Sequence, residues 1–169
     1  MKKIVVVILT LGALVSCQQN KIAFIDNSKL INEYNEKKSL EEKFKQKAQT
    51  FDKKADSISK AFQIEAQAFD AAAGKMSQTE AQTKYNELLQ KRQFFQQQLQ
   101  LEEKQLQSQG QKEMDSVVKK VKTFVKEYGK KNGYTYILGS NEGGSVLYGK
   151  EENDITEEVL KALNDSSEK

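Results

Sequence analysis

Residues 28–131 contain no proline and only three glycines, and apolar side chains recur through them at heptad spacing. Proline costs about 3 kcal/mol inside a helix and glycine about 1 kcal/mol. A run of this length without them can sustain continuous helix. In the first part, one series is Leu30, Lys37, Phe44, Phe51, Ile58 and Glu65. Its partner series is Tyr34, Glu41, Ala48, Ala55, Phe62 and Phe69, and charged residues fill the flanks. Nine of these twelve positions are apolar, so the pattern predicts a coiled-coil seam with phenylalanine packed against alanine. The pattern breaks at Ala71–Glu80. There Gly74 is suited to end one helix, and Ser77 with Glu80 has the S-x-x-E spacing of a capping box that starts the next. A turn this short makes the two helices antiparallel neighbours, with the tip near residues 74–78.

The second arm is expected over residues 78–131, with Tyr85, Leu88, Phe95, Leu99 and Leu106 in one seam. Met114, Val117, Val121, Phe124 and Tyr128 form another, out of register with the first. Gly110 lies between them, and two readings stay open for it: a point where the arm flexes, or space for side chains of the facing helix. With a tip near residue 75, position i on the first arm is expected to face 151 − i on the second, placing Gly110 opposite Leu40–Phe44. Ten glutamines fall within residues 90–111, but Phe94, Phe95, Leu99, Leu101 and Leu106 are interleaved among them, which favours helix over disorder. A hairpin of this kind has no interior for a catalytic pocket, and there is no histidine for base catalysis or metal binding. The expectation is a chain that is not an enzyme and needs no cofactor or metal.

The flanks read differently. Lys21–Asp26 is a short strand with apolar residues on both faces, after which Asn27 or Ser28 can cap the first helix. Asn132-Gly133 is a left-handed helix stop, and Tyr134–Leu138 and Ser145–Tyr148 are expected as a strand pair joined by Gly139–Gly144. Asp154 is expected to cap a last helix whose apolar face is Ile155, Val159, Leu160 and Leu163. The architecture is therefore mainly α with a small β body: residues 21–27 and 132–165 form the body, and residues 28–131 form a long antiparallel coiled-coil hairpin. One small helix cannot cover every apolar side chain of the body. Ile22, Phe24, Ile25, Tyr136, Leu138, Val146 and Tyr148 are the candidates for burial between copies of the chain.

The N-terminus has the form of an export signal. Lys2 and Lys3 precede the apolar run Ile4–Val15, which is too short to span a bilayer permanently. It ends in Leu14-Val15-Ser16-Cys17, which looks like the lipobox of bacterial lipoproteins, so residues 1–17 are expected to be a lipoprotein signal with Cys17 as the lipidated residue. Only Gln18, Gln19 and Asn20 separate Cys17 from the first strand. At about 3.5 Å per residue, the folded part would sit within roughly 15 Å of the membrane. Without the signal, the chain is nearly neutral, with 25 basic and 24 acidic residues unevenly spread. Residues 28–131 carry 21 basic and 15 acidic groups, and the other residues beyond Cys17 carry 4 and 9. Arg92 is the only arginine, and with an export signal present no nucleic-acid partner is expected.

The order of strand, long hairpin, strands and helix resembles the Skp/OmpH family of periplasmic chaperones for outer-membrane proteins. Lys21-Ile-Ala-Phe-Ile-Asp26 is similar to that family's opening strand, and Asp154-Ile-Thr-Glu-Glu-Val-Leu-Lys161 to its closing helix. The resemblance implies a homotrimer with a β base, its arms enclosing unfolded outer-membrane proteins without ATP. It also implies a periplasmic site of action; the lipid expected on Cys17 from the lipobox is a departure from well-known relatives, which are soluble, and would add membrane attachment in this chain. Ile64, Met76, Phe94 and Leu101 lie off the seams and are candidate client contacts. The competing expectation is a structural or adaptor coiled-coil lipoprotein that spans or docks in the envelope.

Overall fold

The computed structural model describes residues 20–141 and 145–167. The signal and Cys17 lie outside the described residues, as does part of the expected Gly139–Gly144 loop. The chain forms β1 (Ile22–Asp26), α1 (Asn27–Glu33), α2 (Asn35–Ala73), α3 (Gln78–Lys131), β2 (Tyr136–Ser140), a 3-10 turn (Glu151–Asn153) and α4 (Thr156–Ser167). It divides into two compact units, the described part of Met1–Tyr34 with Lys119–Lys169, and Asn35–Val118.

The first unit is a small α/β body. β1 pairs in parallel with β2, Ile22 opposite Tyr136 and Asp26 opposite Ser140. On the other edge of β1, Phe24 bridges to Asp154, and the Ile155 amide donates to the Phe24 carbonyl at 3.0 Å. The Asp26 amide donates to Thr156 Oγ1 at 2.9 Å. Successive side chains of a strand point to opposite faces. One face of β1 therefore turns Ala23 and Ile25 into a core with Leu30, Tyr34, Val121, Ile155, Val159, Leu160 and Leu163, all buried. The other face carries Ile22 and Phe24.

Three expectations are corrected in this unit. The cap of α1 is Asp26, whose Oδ1 accepts from the Lys29 amide at 2.9 Å, and not Asn27 or Ser28, which are inside the helix. The first arm is not continuous from residue 29, because Tyr34 is extended (φ −64°, ψ 125°) and separates α1 from α2. Its ring is buried and its hydroxyl lies 2.8 Å from Ser167 Oγ, so body packing takes precedence over the heptad at this position. The antiparallel strand pair is absent. β2 starts two residues later than expected and pairs with β1, and Ser145–Tyr148 forms no strand. Its continuation is held by packing instead: a side chain at Gly149 would collide with the Phe24 ring.

The end of α3 is as expected. Gly133 is left-handed at φ 71°. The Tyr134 amide donates to the Gly129 carbonyl at 2.9 Å and the Gly133 amide to the Lys130 carbonyl at 3.3 Å, the paired bonds of a Schellman stop. At α4, Asp154 Oδ1 accepts from the Thr156 amide at 2.9 Å, satisfying a first-turn donor.

The second unit is the hairpin of α2 with α3. Ser77 and Glu80 form the expected capping box. The Glu80 carboxylate accepts from the Ser77 amide (3.0 Å) and hydroxyl (2.8 Å), and the Glu80 amide donates back to Ser77 Oγ (3.3 Å). Those bonds, the backbone one first, hold the Glu80 carboxyl below the ordinary glutamate range. Stability from a carboxylate depressed in this way is present above its unfolded value and is lost as pH falls through the folded one. Protection of the first-turn amides of α3, measured relative to the intrinsic exchange rate at each pH, should therefore fall on acidification below about pH 4.3, the ordinary glutamate value. Glu80→Gln should remove that pH dependence.

Cross-helix pairs fix the register. Lys43 pairs with Glu113 at 2.8 Å, Lys54 with Glu102, Lys91 with Glu65, and Lys47 with Gln109 at 3.1 Å. In each, the two residue numbers add to 156 rather than 151, a shift of about one helical turn from the expectation. The tip itself is where it was expected, since Ala73 and Gln78 also add to 151; each long side chain leans toward the N-terminus of its own helix, so across an antiparallel pair the residues that meet are displaced toward both C-termini. Polar members of the heptad series take ion pairs: Lys37 with Glu41 at 2.6 Å, and Glu65 with Lys91. Exposed pairs of this kind contribute about 0–1 kcal/mol each, so they specify register more than stability.

Candidate functional site

Two surfaces stand out, one in each unit. In the body, alternation along the paired strands places Ile22, Phe24, Tyr136 and Leu138 on one face, because Ile22 is opposite Tyr136 and Phe24 opposite Leu138. Ile22, Tyr136 and Leu138 are 46%, 60% and 42% exposed, and nothing in the described chain covers them. Leu147 and Tyr148 are more open still, at 95% and 86%. Gly149, which follows them, rests on the Phe24 ring and so keeps the segment close to this face. Of the seven body residues singled out in the sequence, the structure gathers four on this face. Val146 is half-buried and Tyr148 exposed on the segment leading to Gly149, while Ile25 points into the core at 4% exposure.

In the hairpin, two helices alone cannot enclose a core. Leu40 and Val117 are its only buried apolar residues among those described, whereas Phe44, Phe51, Phe62, Phe69 and Phe95 remain half-buried. The seam is therefore open to solvent along its sides. One groove of about 470 Å³ is lined by Leu40, Phe44, Ala48, Leu106, Gly110 and Met114. A methyl group at Gly110 would lie 3.5 Å from the Phe44 ring, an ordinary contact, and α3 runs through Gly110 without interruption. Residues 107–113 are continuous helix, and the missing side chain at Gly110 leaves room beside Phe44. A second groove near the tip, about 400 Å³, is lined by Glu65, Ala68, Phe69, Met76, Lys84 and Leu88, with neighbouring side chains at its ends.

Off the seam, Ile64, Phe94 and Leu101 are 65%, 55% and 58% exposed, and Met76 is half-buried at the tip groove. Phe94 stacks edge-on against Phe95, with ring centroids 5.7 Å apart. Tyr85 is also half open and packs against Phe69, a surface residue that its place in the seam had hidden. These apolar groups are dispersed among lysines and glutamates. Glu113 is held below the ordinary glutamate range, chiefly by the hydrogen bond from Lys43. Among the described residues no cluster of His, Cys, Asp and Glu could hold a metal ion. No described helix is long and apolar enough to cross a membrane.

The sequence profile of the family described as outer membrane protein (OmpH-like) matches residues 21–163. The chain belongs to the OmpH-like family. The match begins at Lys21, immediately before β1, and ends at Leu163 in α4, so it spans the strand, the hairpin and the closing helix. A solved structure from Caulobacter crescentus, described as an OmpH-like candidate outer membrane chaperone, superposes with a TM-score of 0.78. It is 18% identical to this OmpH-like chain, and the alignment covers 89% of this chain and 88% of that one. At that identity the likeness establishes the fold. A comparison with curated proteins gives no significant match.

Proposed function

We propose that this OmpH-like protein is an ATP-independent holdase chaperone of the periplasm. It keeps unfolded outer-membrane proteins from aggregating by enclosing them between the coiled-coil arms of a homotrimer, and is attached to the membrane through lipid on Cys17. Family membership supports a chaperone role, as does the description of the Caulobacter crescentus protein. The observation that carries the reading is the open seam of the hairpin. Half-buried phenylalanines and the exposed Ile64, Phe94 and Leu101 offer many weak apolar contacts among charged side chains. A holdase needs such contacts, which oppose aggregation without imposing a structure on the client. Self-association uses the uncovered sheet face of Ile22, Phe24, Tyr136 and Leu138.

The test uses the exported chain with Cys17→Ser, so that lipid does not confound solubility. A urea-unfolded barrel protein is diluted into buffer with one trimer per client, and light scattering is followed. The expected result is suppressed scattering and a stable complex whose mass is one trimer plus one client. A spacer or adaptor would leave the client to precipitate. Gly110→Ala refines the reading. It should raise hairpin stability by about 1 kcal/mol, since glycine in a helix interior costs that much and the added methyl group meets Phe44 at ordinary distance. If the arm flexes at this point during capture, the variant should bind small clients as before and large clients more weakly. Equal capture of both would remove flexing from the account and leave Gly110 as space for Phe44.

A further inference from the structure

The beginning of β1 and the end of α3 occupy the same place in the body. The Thr135 amide donates to the Lys21 carbonyl at 2.8 Å, and Lys21 Nζ donates to the Asn132 carbonyl at 3.2 Å. The same ammonium lies 3.9 Å from the centre of the Tyr134 ring, which stacks on Tyr128 with centroids 6.4 Å apart. Lys130 and Lys131 form the last turn of α3, one residue before Asn132, and both are exposed. Three cations and two tyrosines thus share this end. The acidic groups beside them are Glu127, paired with Lys130 at 2.9 Å, and Glu158, which the Tyr128 hydroxyl reaches at 3.5 Å. The opposite end of β1 is acidic: Asp26 lies there, next to Thr156, and Asp154 bridges to Phe24.

We propose that the Lys21, Lys130 and Lys131 end of the body is a membrane-contact surface that binds the anionic phospholipid headgroups of a bilayer. The inference rests on the reading of Cys17 as the lipidated residue. Cys17 precedes Lys21 by four residues, so at about 3.5 Å per residue the anchor holds this end within roughly 14 Å of the bilayer. Screened attraction to an anionic leaflet reaches about 8 Å at physiological salt, and a tether of this length lets basic side chains at this end approach that closely. Tyrosine beside lysine is the composition favoured at the headgroup level, where the ring is half-solvated and the ammonium meets phosphate. The acyl chains supply the anchorage. The basic surface supplies orientation, turning the start of β1 toward the bilayer and its acidic end away.

The test measures cosedimentation of the Cys17→Ser chain with phosphatidylglycerol–phosphatidylcholine vesicles at low salt. Binding is expected to disappear with phosphatidylcholine alone and to weaken with added salt. Each lysine at an anionic surface changes partitioning by about fivefold, so Lys21→Gln/Lys130→Gln/Lys131→Gln should bind on the order of a hundredfold more weakly. Because Lys21 also packs on Tyr134, Lys130→Gln/Lys131→Gln serves as a second variant that leaves the fold untouched, with about a twenty-five-fold loss expected. A hairpin control, Lys53→Gln/Lys75→Gln/Lys84→Gln, removes the same charge and should keep most of the binding. Equal loss in that control, binding unaffected by the body variants, or equal binding to neutral vesicles would each overturn the proposal. The anchor is tested separately by intact mass of the chain made in cells: a chain without lipid on Cys17 removes the geometric premise, whatever the vesicles show.

Discussion

Leu30→Ala is expected to unfold the body under conditions where the natural chain is folded. Leu30 is fully buried, on α1 between the strand and the closing helix, and Val159 and Leu163 are buried with it. Truncating a buried leucine costs about 2–5 kcal/mol, and the upper part of that range applies where the surroundings cannot collapse into the space. Here they are constrained. β1 is fixed by β2 on one edge and by Asp154–Thr156 on the other, and Tyr34 is tied to Ser167. Domains of ordinary size have about 5–15 kcal/mol in total, and a small body has less burial to draw on. The measurement is thermal or urea unfolding of the Cys17→Ser chain, followed separately by tyrosine fluorescence for the body and by far-ultraviolet circular dichroism for the helices. Leu30→Ala should lower the tyrosine transition by 10 °C or more, about 3 kcal/mol for a unit of this size. Ile64→Ala, at an exposed position of the hairpin, should leave it within about 0.5 kcal/mol. A Leu30→Ala chain that unfolds like the natural one would mean that the body is not held by this core.

What could be read in advance follows from how local each signal is. The Ser77–Glu80 box, the Asn132-Gly133 stop and the glutamine-rich helix were all legible, because caps and stops are set by residues within one turn of each other. The heptad also located the hairpin correctly. Its tip and the placing of Gly110 beside Phe44 were legible too; the ion pairs add to 156 because long side chains lean along their helices, which a count of opposed backbone positions leaves out. The break at Tyr34 was hidden for a related reason. Its heptad position suits an arm seam equally well, and only the remote Ser167 and the buried side chains of the body show where the ring goes. Strand pairing was the least legible. Tyr136–Ser140 is apolar enough to pair with either neighbour, and the glycine-rich stretch after it suggested a local hairpin. The actual partner, β1, lies more than a hundred residues earlier, reached only once the helices have folded back. The candidate surfaces divide in the same way. The exposure of Phe94 and Leu101 followed from heptad phase, whereas Ile25, grouped with Leu138 for burial between copies, turns into the core because the pairing decides which face is inward.

Leu138→Glu should convert an assembled protein into folded monomers. In register with Phe24 and beside Tyr136 and Ile22, Leu138 lies on the sheet face that the described residues leave uncovered. The family resemblance implies a trimer, and this face is the apolar surface of the body that self-association would bury. Placing an unpaired carboxylate there costs about 3 kcal/mol at each subunit interface, or about 9 kcal/mol per trimer, which is roughly six decades in the association constant. The same substitution has little reason to unfold a single subunit, because Leu138 is 42% exposed and the core is on the opposite face with Ala23 and Ile25. Light scattering across a dilution series should report a trimer for the natural chain and a monomer for the variant, with unchanged helical circular dichroism. Ile64→Glu, at a more exposed apolar position in the hairpin, should leave the mass alone. If the natural chain is already monomeric, the enclosing trimer is excluded; if the variant keeps the trimer's mass, the copies meet through another surface and the uncovered face has another occupant. The consequence reaches function directly: monomers present the same open seams and the same Phe94 and Leu101, yet no ring of arms, so loss of client protection in folded Leu138→Glu monomers would show that enclosure, and not contact with a single hairpin, keeps the client soluble.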